Sequence, residues 1–162
     1  MCDSSNTSIS FLNKAQAKSL NTALNTQFSA MLEQKVNNAK ALLKRYALDE
    51  FLRDSSMKIL NNEVFLLAKQ YAQSTNTWQQ HLSPSSIKFL NILSSTPNTH
   101  DAIAQLRHKY EKKQLTLKND FFNQVESNPL TTEQRLAVIR DNDKNLVLAA
   151  AGTGKTSVMV AK

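Results

Sequence analysis

Apolar residues recur along this chain at helical spacing over most of its length. From Leu20 onward, Leu24, Phe28, Met31, Leu32, Val36, Ala39, Leu42, Leu43 and Tyr46 fall within a sector of roughly 160° when each residue is advanced by about 100°. This spacing predicts one amphipathic helix with a core-facing stripe. Its other face carries Lys35, Lys40, Lys44 and Arg45, a solvated face whose charge also suits a phosphate backbone. A second periodic stretch, from about Leu48 to Tyr71, runs through Phe51, Leu52, Ile59, Leu60, Val64, Leu67 and Ala68 and predicts a second helix. The connector "QSTNTWQQHLSPSS" is polar, with Trp78 as its packing anchor. Ser83 followed by Pro84 reads as an N-cap and a first-turn proline, opening a short helix through Leu93. After "SSTPNTHD" a longer helix starts near Thr99 or His100 and carries Ile103, Leu106, Tyr110, Leu115 or Leu117, and Phe121.

The pattern changes at Pro129. "PLTTEQRLAVIRD" reads as a short capped helix, with Thr131 or Thr132 as N-cap and Leu136, Val138 and Ile139 on its apolar side. "DNDK" is a turn. "NLVLAAA" is a short, nearly continuous apolar run of the kind that suits a strand buried on both faces. It leads into "GTGKTSVMV", which holds the only two glycines of the chain, Gly152 and Gly154.

Composition sharpens this outline. The 162 residues suffice for one domain with a real core. Twenty Lys and Arg against 13 Asp and Glu give a formal charge of +7, an excess that favours polyanion partners such as nucleic acid. The single cysteine, Cys2, excludes an internal disulfide and a thiolate-rich metal site. His81, His100 and His108 have no metal-ligand spacing. The start "MCDSSNTSIS" is polar and no apolar run approaches membrane-spanning length, so a cytoplasmic protein that does not enter membranes is expected.

A strand, a glycine-bearing turn and "GKT" opening a helix form the context of a Walker A phosphate loop. Gly152 and Gly154 permit backbone angles that wrap a phosphate closely. Inward N–H groups and the positive end of the following helix dipole favour the anion. Lys155 supplies a full charge for the β and γ phosphates, and the Thr156 hydroxyl is placed to ligate Mg²⁺. The strict pattern puts glycine five residues before Gly154, where this chain has Ala149.

"LTTEQRLAVIRDNDKNLVLAAAGTGKTSVMVAK" resembles the opening of the UvrD/Rep-type superfamily 1 DNA helicases. In that family the loop commonly reads alanine-x-alanine-glycine-serine-glycine-lysine-threonine, so alanine at Ala149 is normal. Thr153 stands where serine is usual and Ala150 where glycine is frequent. "LTTEQ" resembles the family's Q motif, whose glutamine reads the adenine edge; the matching residue is Gln134, followed by Arg135. The resemblance implies an ATP site built from Gln134, Arg135, Ala149, Ala150, Ala151, Gly152, Thr153, Gly154, Lys155, Thr156 and Ser157, with Lys155 catalytic and Thr156 on Mg²⁺. Upstream, "DFFNQVESNPLTTEQ" is similar to the junction in a branch of the family where a helical amino-terminal region precedes the motor. The strong resemblance covers Asp120 to Lys162.

The expected fold is therefore mainly α: a helical module over residues 11–128 after a disordered start at 1–10, then the first strand-loop-helix of an α/β RecA-like motor at 129–162. The resemblance implies the amino-terminal part of an ATP-dependent 3′-to-5′ DNA helicase, with ATP, Mg²⁺ and DNA, single-stranded or with a single-stranded tail, as its ligands. Hydrolysis also needs an acidic Walker B pair and arginines on the transferring phosphoryl group. None follows the loop, so these 162 residues alone are expected to be inactive. Asp49 and Glu50, in "ALDEFLRDS", imitate the Walker B pair but sit in a helical pattern ahead of the loop, and read as helix-surface or helix-junction charges. The alternative is a stand-alone helical module binding DNA or a protein, with a vestigial phosphate loop. A small P-loop kinase is disfavoured, because such kinases carry the loop near their start.

Overall fold

The structure is a computed structural model that describes residues 13–96, 99–148, 150 and 152–162. The expectation for residues 1–10 lies outside the described residues. Helix α1 (Lys14–Leu48) begins earlier than its apolar stripe, because Asn13 closes a reciprocal cap. Asn13 Oδ1 accepts the Gln16 N–H at 2.9 Å, and Gln16 Oε1 accepts the Asn13 N–H at 3.0 Å. The stripe is buried only in its second half, at Leu32, Val36, Ala39 and Tyr46; Leu20, Leu24, Phe28 and Met31 are exposed.

The expected helix over 48–71 is divided. Asp49 ends α1 by donating its N–H to Arg45 O at 2.8 Å, and Phe51 and Leu52 are buried in a non-helical link. A 3₁₀ turn (Asp54–Ser56), α2 (Met57–Leu60), a π turn (Asn61–Phe65) and α3 (Leu66–Gln73) follow. Burying two adjacent side chains, and bonding Arg53–Ser55 to residues 88 positions away, outweighs the local helical pattern. The polar connector contains a further short helix, α4 (Thr75–Gln79). Its Trp78 packs on the main core, edge-to-face with Tyr71 at 6.0 Å.

Helix α5 (Pro84–Ser94) starts as its sequence dictates, with Ser83 Oγ accepting the Ser86 N–H at 3.3 Å. Glu33 of α1 reinforces this start by accepting from the Ser83 N–H and, at 2.7 Å, from Ser86 Oγ. Burial pushes the Glu33 carboxyl up, but these hydrogen bonds and the charge of Lys40 outweigh it and hold it below its ordinary range. Helix α6 (Thr99–Leu117) begins at the expected position but stops short of Phe121. Lys118 leaves helical geometry (φ −101°, ψ 15°) and α7 (Asn119–Gln124) turns Phe122 into complete burial.

Two apolar clusters result. The main one joins the second half of α1 to Leu52, Leu60, Val64, Tyr71, Leu90, Ile103 and Leu106. The second joins Phe122 to Leu130, Ile139 and Ala161, with Tyr110 and Leu115 of α6 against it. It draws together side chains from both sides of Pro129. Helices α8 (Thr132–Ile139) and α9 (Lys155–Ala161) complete the described elements. A mainly α architecture is thus observed, whereas the strand expected at "NLVL" is not. Residues 145–148 adopt no regular structure, and Leu146 and Leu148 are 84% and 86% exposed. A strand must hand its N–H and C=O groups to a neighbour, and among the described residues there is no other strand to receive them. The final residues of that run, Ala149 and Ala151, lie outside the described residues.

Candidate functional site

The site grows from the start of α8. Thr131 is the N-cap: its Oγ1 accepts the Gln134 N–H at 3.4 Å, and its own N–H donates to Gln134 Oε1 at 2.7 Å. The other end of the same amide, Gln134 Nε2, donates to Thr153 O at 3.1 Å. One side chain therefore fastens the helix cap to the glycine loop. The T-x-x-Q spacing was a legible capping box, but the link to Thr153 has no local signal.

Gly152 (φ 75°) and Gly154 (φ 77°) are the only described residues with positive φ, the left-handed region that side chains with a Cβ resist. At Gly152 the requirement is conformational alone, since a Cβ there would meet nothing nearby. At Gly154 a Cβ would also collide with the Gln134 amide. Ala150 O accepts from Thr153 Oγ1 and from Lys155 Nζ, each at 2.7 Å. Lys155, Thr156 and Ser157 form the first turn of α9, with Thr156 exposed and Ser157 half-buried.

Arg135 is engaged elsewhere. Its Nε donates to Leu130 O at 2.7 Å, Nη1 to Asn119 at 3.0 Å and Nη2 to Asn123 at 2.6 Å, while the guanidinium lies 5.6 Å from the Phe122 ring centre. It ties α8 to α7. Asp49 and Glu50 sit at the end of α1, where Asp49 pairs with Lys113 at 3.3 Å and Glu50 with Arg45 at 2.6 Å. This is the helix-junction role that their sequence setting suggests.

An open groove of about 1000 Å³ runs between α8 and the loop, lined by Pro129, Gln134, Ala137, Leu148, Gly154 and Lys155. It brings the glutamine and the lysine, 21 positions apart, to one concavity. Its chemistry is mixed: backbone and amide groups at the loop, apolar surface at Ala137 and Leu148, and carboxylates at Glu126 and Glu133. The segment Glu126–Leu130, which forms one wall, carried no sequence signal of a site. Among the described residues no group of three or more His, Cys, Asp or Glu is arranged to hold a metal ion.

Residues 130–162 match the family model of the UvrD/REP helicase N-terminal domain. The chain is also 51% identical over 61 residues to DNA helicase IV of Escherichia coli (strain K12), a stretch covering 36% of this chain and 9% of that protein. The likeness to a UvrD/Rep-type helicase is thereby shown for this segment. No solved structure matches the chain. Among the described residues no helix is long and apolar enough to cross a membrane.

Proposed function

We propose that residues 129–162 are the nucleotide-gripping start of a UvrD/Rep-type, 3′-to-5′ DNA helicase motor, and that residues 11–128 are the helical module preceding it, in a cytoplasmic protein. The observation that carries this reading is the convergence of Gln134 and Lys155 on a loop whose two glycines both have positive φ. The loop backbone at Gly152 and Gly154 lies against the phosphates of ATP. Lys155 exchanges the carbonyl of Ala150 for phosphate oxygens, an interaction strengthened by full opposite charge. Beyond its bonds to Thr131 and Thr153, the Gln134 amide keeps one N–H and one oxygen lone pair for the adenine edge, over the apolar surface of Ala137 and Leu148. Thr156 and Ser157 complete the first turn facing the phosphates, with Thr156 on Mg²⁺. Thr156 would hold the cation, whose charge would offset that of the phosphates.

Arg135 supports adenine reading indirectly, by fixing α8 against α7 so that Gln134 points at the loop. DNA is the polyanion expected by the +7 charge. Titration of the chain with a fluorescent ATP analogue and Mg²⁺ tests the reading. Binding that falls at least about tenfold in Lys155→Ala, the loss of a strong charge-assisted contact, is the expected result. Equal binding by the wild type and Lys155→Ala would contradict it.

A further inference from the structure

A second polar assembly lies away from the glycine loop, and the function proposed above does not use it. Residues 53–55, between α1 and α2, meet residues 141–143, after α8, in matching order. Arg53 Nε donates to Asp141 O at 3.0 Å, and its guanidinium pairs with the Asp141 carboxylate. The Asp54 N–H donates to Asn142 Oδ1 at 2.8 Å, and Asn142 Nδ2 returns a bond to Asp54 Oδ2 at 2.8 Å. The Ser55 N–H and hydroxyl donate to the two Asp143 oxygens at 2.6 and 2.8 Å. Arg107 of α6 holds the assembly from behind, donating to Leu52 O at 2.9 Å and to Asp54 Oδ1 at 2.6 Å.

Two further bonds anchor the ends of the loop-bearing segment. Arg140 Nε donates to the largely buried Glu111 of α6 at 2.7 Å, and Lys162 Nζ, beyond α9, donates to Arg140 O at 3.0 Å. Residues 145–148 between the turn and the loop adopt no regular structure. The path of the chain into the glycine loop is therefore set by where residues 140–143 are held. Exposed ion pairs of this kind contribute little to stability. A three-residue match in register contributes instead a fixed position.

We infer that Arg53, Asp54 and Ser55 are positioning residues for the glycine loop: the helical module, by gripping Asp141–Asp143, sets the geometry and hence the nucleotide affinity of a site it does not touch. The inference rests on the function proposed above for its consequence, but not for its structural part. The test compares the full chain with Arg53→Ala/Ser55→Ala and with the charge exchange Arg53→Asp/Asp141→Arg. The readouts are amide hydrogen exchange over residues 132–162, affinity for a fluorescent ATP analogue, and thermal unfolding.

Removal of the grip should speed exchange across α8, the loop and α9 and weaken the analogue by about five- to tenfold, the size of a modest coupling between sites, while the melting of the helical module is unchanged. The charge exchange should recover both effects in part. Unchanged exchange over residues 132–162 overturns the inference, and so does earlier melting of the whole chain, which would make the grip a general structural contact. If the wild type binds no nucleotide, the proposed function fails, and the exchange comparison still decides the inference.

Discussion

The two apolar clusters hold their surroundings in different ways. Around the main one, α1, α3, α5 and α6 bury Val36, Leu52, Leu60, Tyr71 and Leu90 almost completely, and hydrophobic burial is the dominant source of stability. Around the second, Phe122, Leu130, Ile139 and Ala161 make a small core, and the same segment leaves Leu146, Leu148, Met159 and Val160 exposed. Its position depends on directed polar bonds: Arg135 to α7, Arg140 to Glu111, Asp141–Asp143 to the 53–55 segment, and Gln134 to Thr153. A region with little apolar area to bury can still be held in place by side chains with fixed hydrogen-bond geometry.

The contrast can be broken most forcefully at Phe122, the one fully buried aromatic of the second cluster. Phe122→Ala should cost about 3–5 kcal/mol locally, releasing α8 and α9 in hydrogen exchange while α1–α5 keep their protection. If the whole chain melts with it, the two clusters are one cooperative unit and the contrast fails. Leu60→Ala, at a fully buried position of the main cluster, should cost about 2–5 kcal/mol. Denaturant unfolding followed by far-ultraviolet circular dichroism should then shift for the entire chain.

A smaller effect sharpens the comparison at the loop itself. Gly154→Ala forces a left-handed backbone on a residue with a Cβ, at about 1–2 kcal/mol, and pushes aside the Gln134 amide. ATP-analogue affinity should fall while the main cluster unfolds at its usual denaturant concentration. Gly152→Ala carries the backbone strain without the collision, so its affinity should fall less.

The smallest effect is a dependence on acid. Arg107 and then Asn142 hold Asp54 below its ordinary value of 3.8, and the Ser55 amide and hydroxyl do the same for Asp143. A carboxyl lowered by folding contributes above its unfolded value and loses that contribution as pH falls through the folded one. The grip should therefore persist from pH 7 down to about 4 and fade only below that, because both folded values lie under 3.8. Exchange of residues 132–162 as a function of pH, corrected for intrinsic rates, measures this. Loss of protection already at pH 5 would assign the grip to other groups.

Much of the helical frame was legible because its signals are local. Ser83–Pro84 marks the start of α5, Thr99 or His100 that of α6, and Thr131 or Thr132 that of α8, of which the structure takes Thr99 and Thr131. Elsewhere distant partners override the local signals. The division of the 48–71 stretch answers to Asp141–Asp143, 88 positions away, and the turn at Lys118 answers to the burial of Phe122 and the hold of Arg135 on Asn119 and Asn123. The early start of α1 was different: Asn13 and Gln16 form a capping box that local reading passes over when it follows only apolar periodicity. The continuous apolar run "NLVL" signals what a segment can bury, but among the described residues no second strand is at hand to pair with it, and Leu146 and Leu148 stay exposed. In the candidate site, both glycines, Lys155 and Gln134 stood out in the sequence; the wall at Glu126–Leu130 and the structural engagement of Arg135 did not.

The most direct test of the central claim is photocrosslinking of the chain with an azido-adenine analogue of ATP, with the adducts mapped by mass spectrometry. The account predicts adducts confined to the groove, on residues 126–137 and 145–157, suppressed by excess ATP and by Lys155→Ala. Adducts spread over the basic faces of α1 and α6, unaffected by Lys155→Ala, would show that nucleotide is drawn by charge alone and would contradict it.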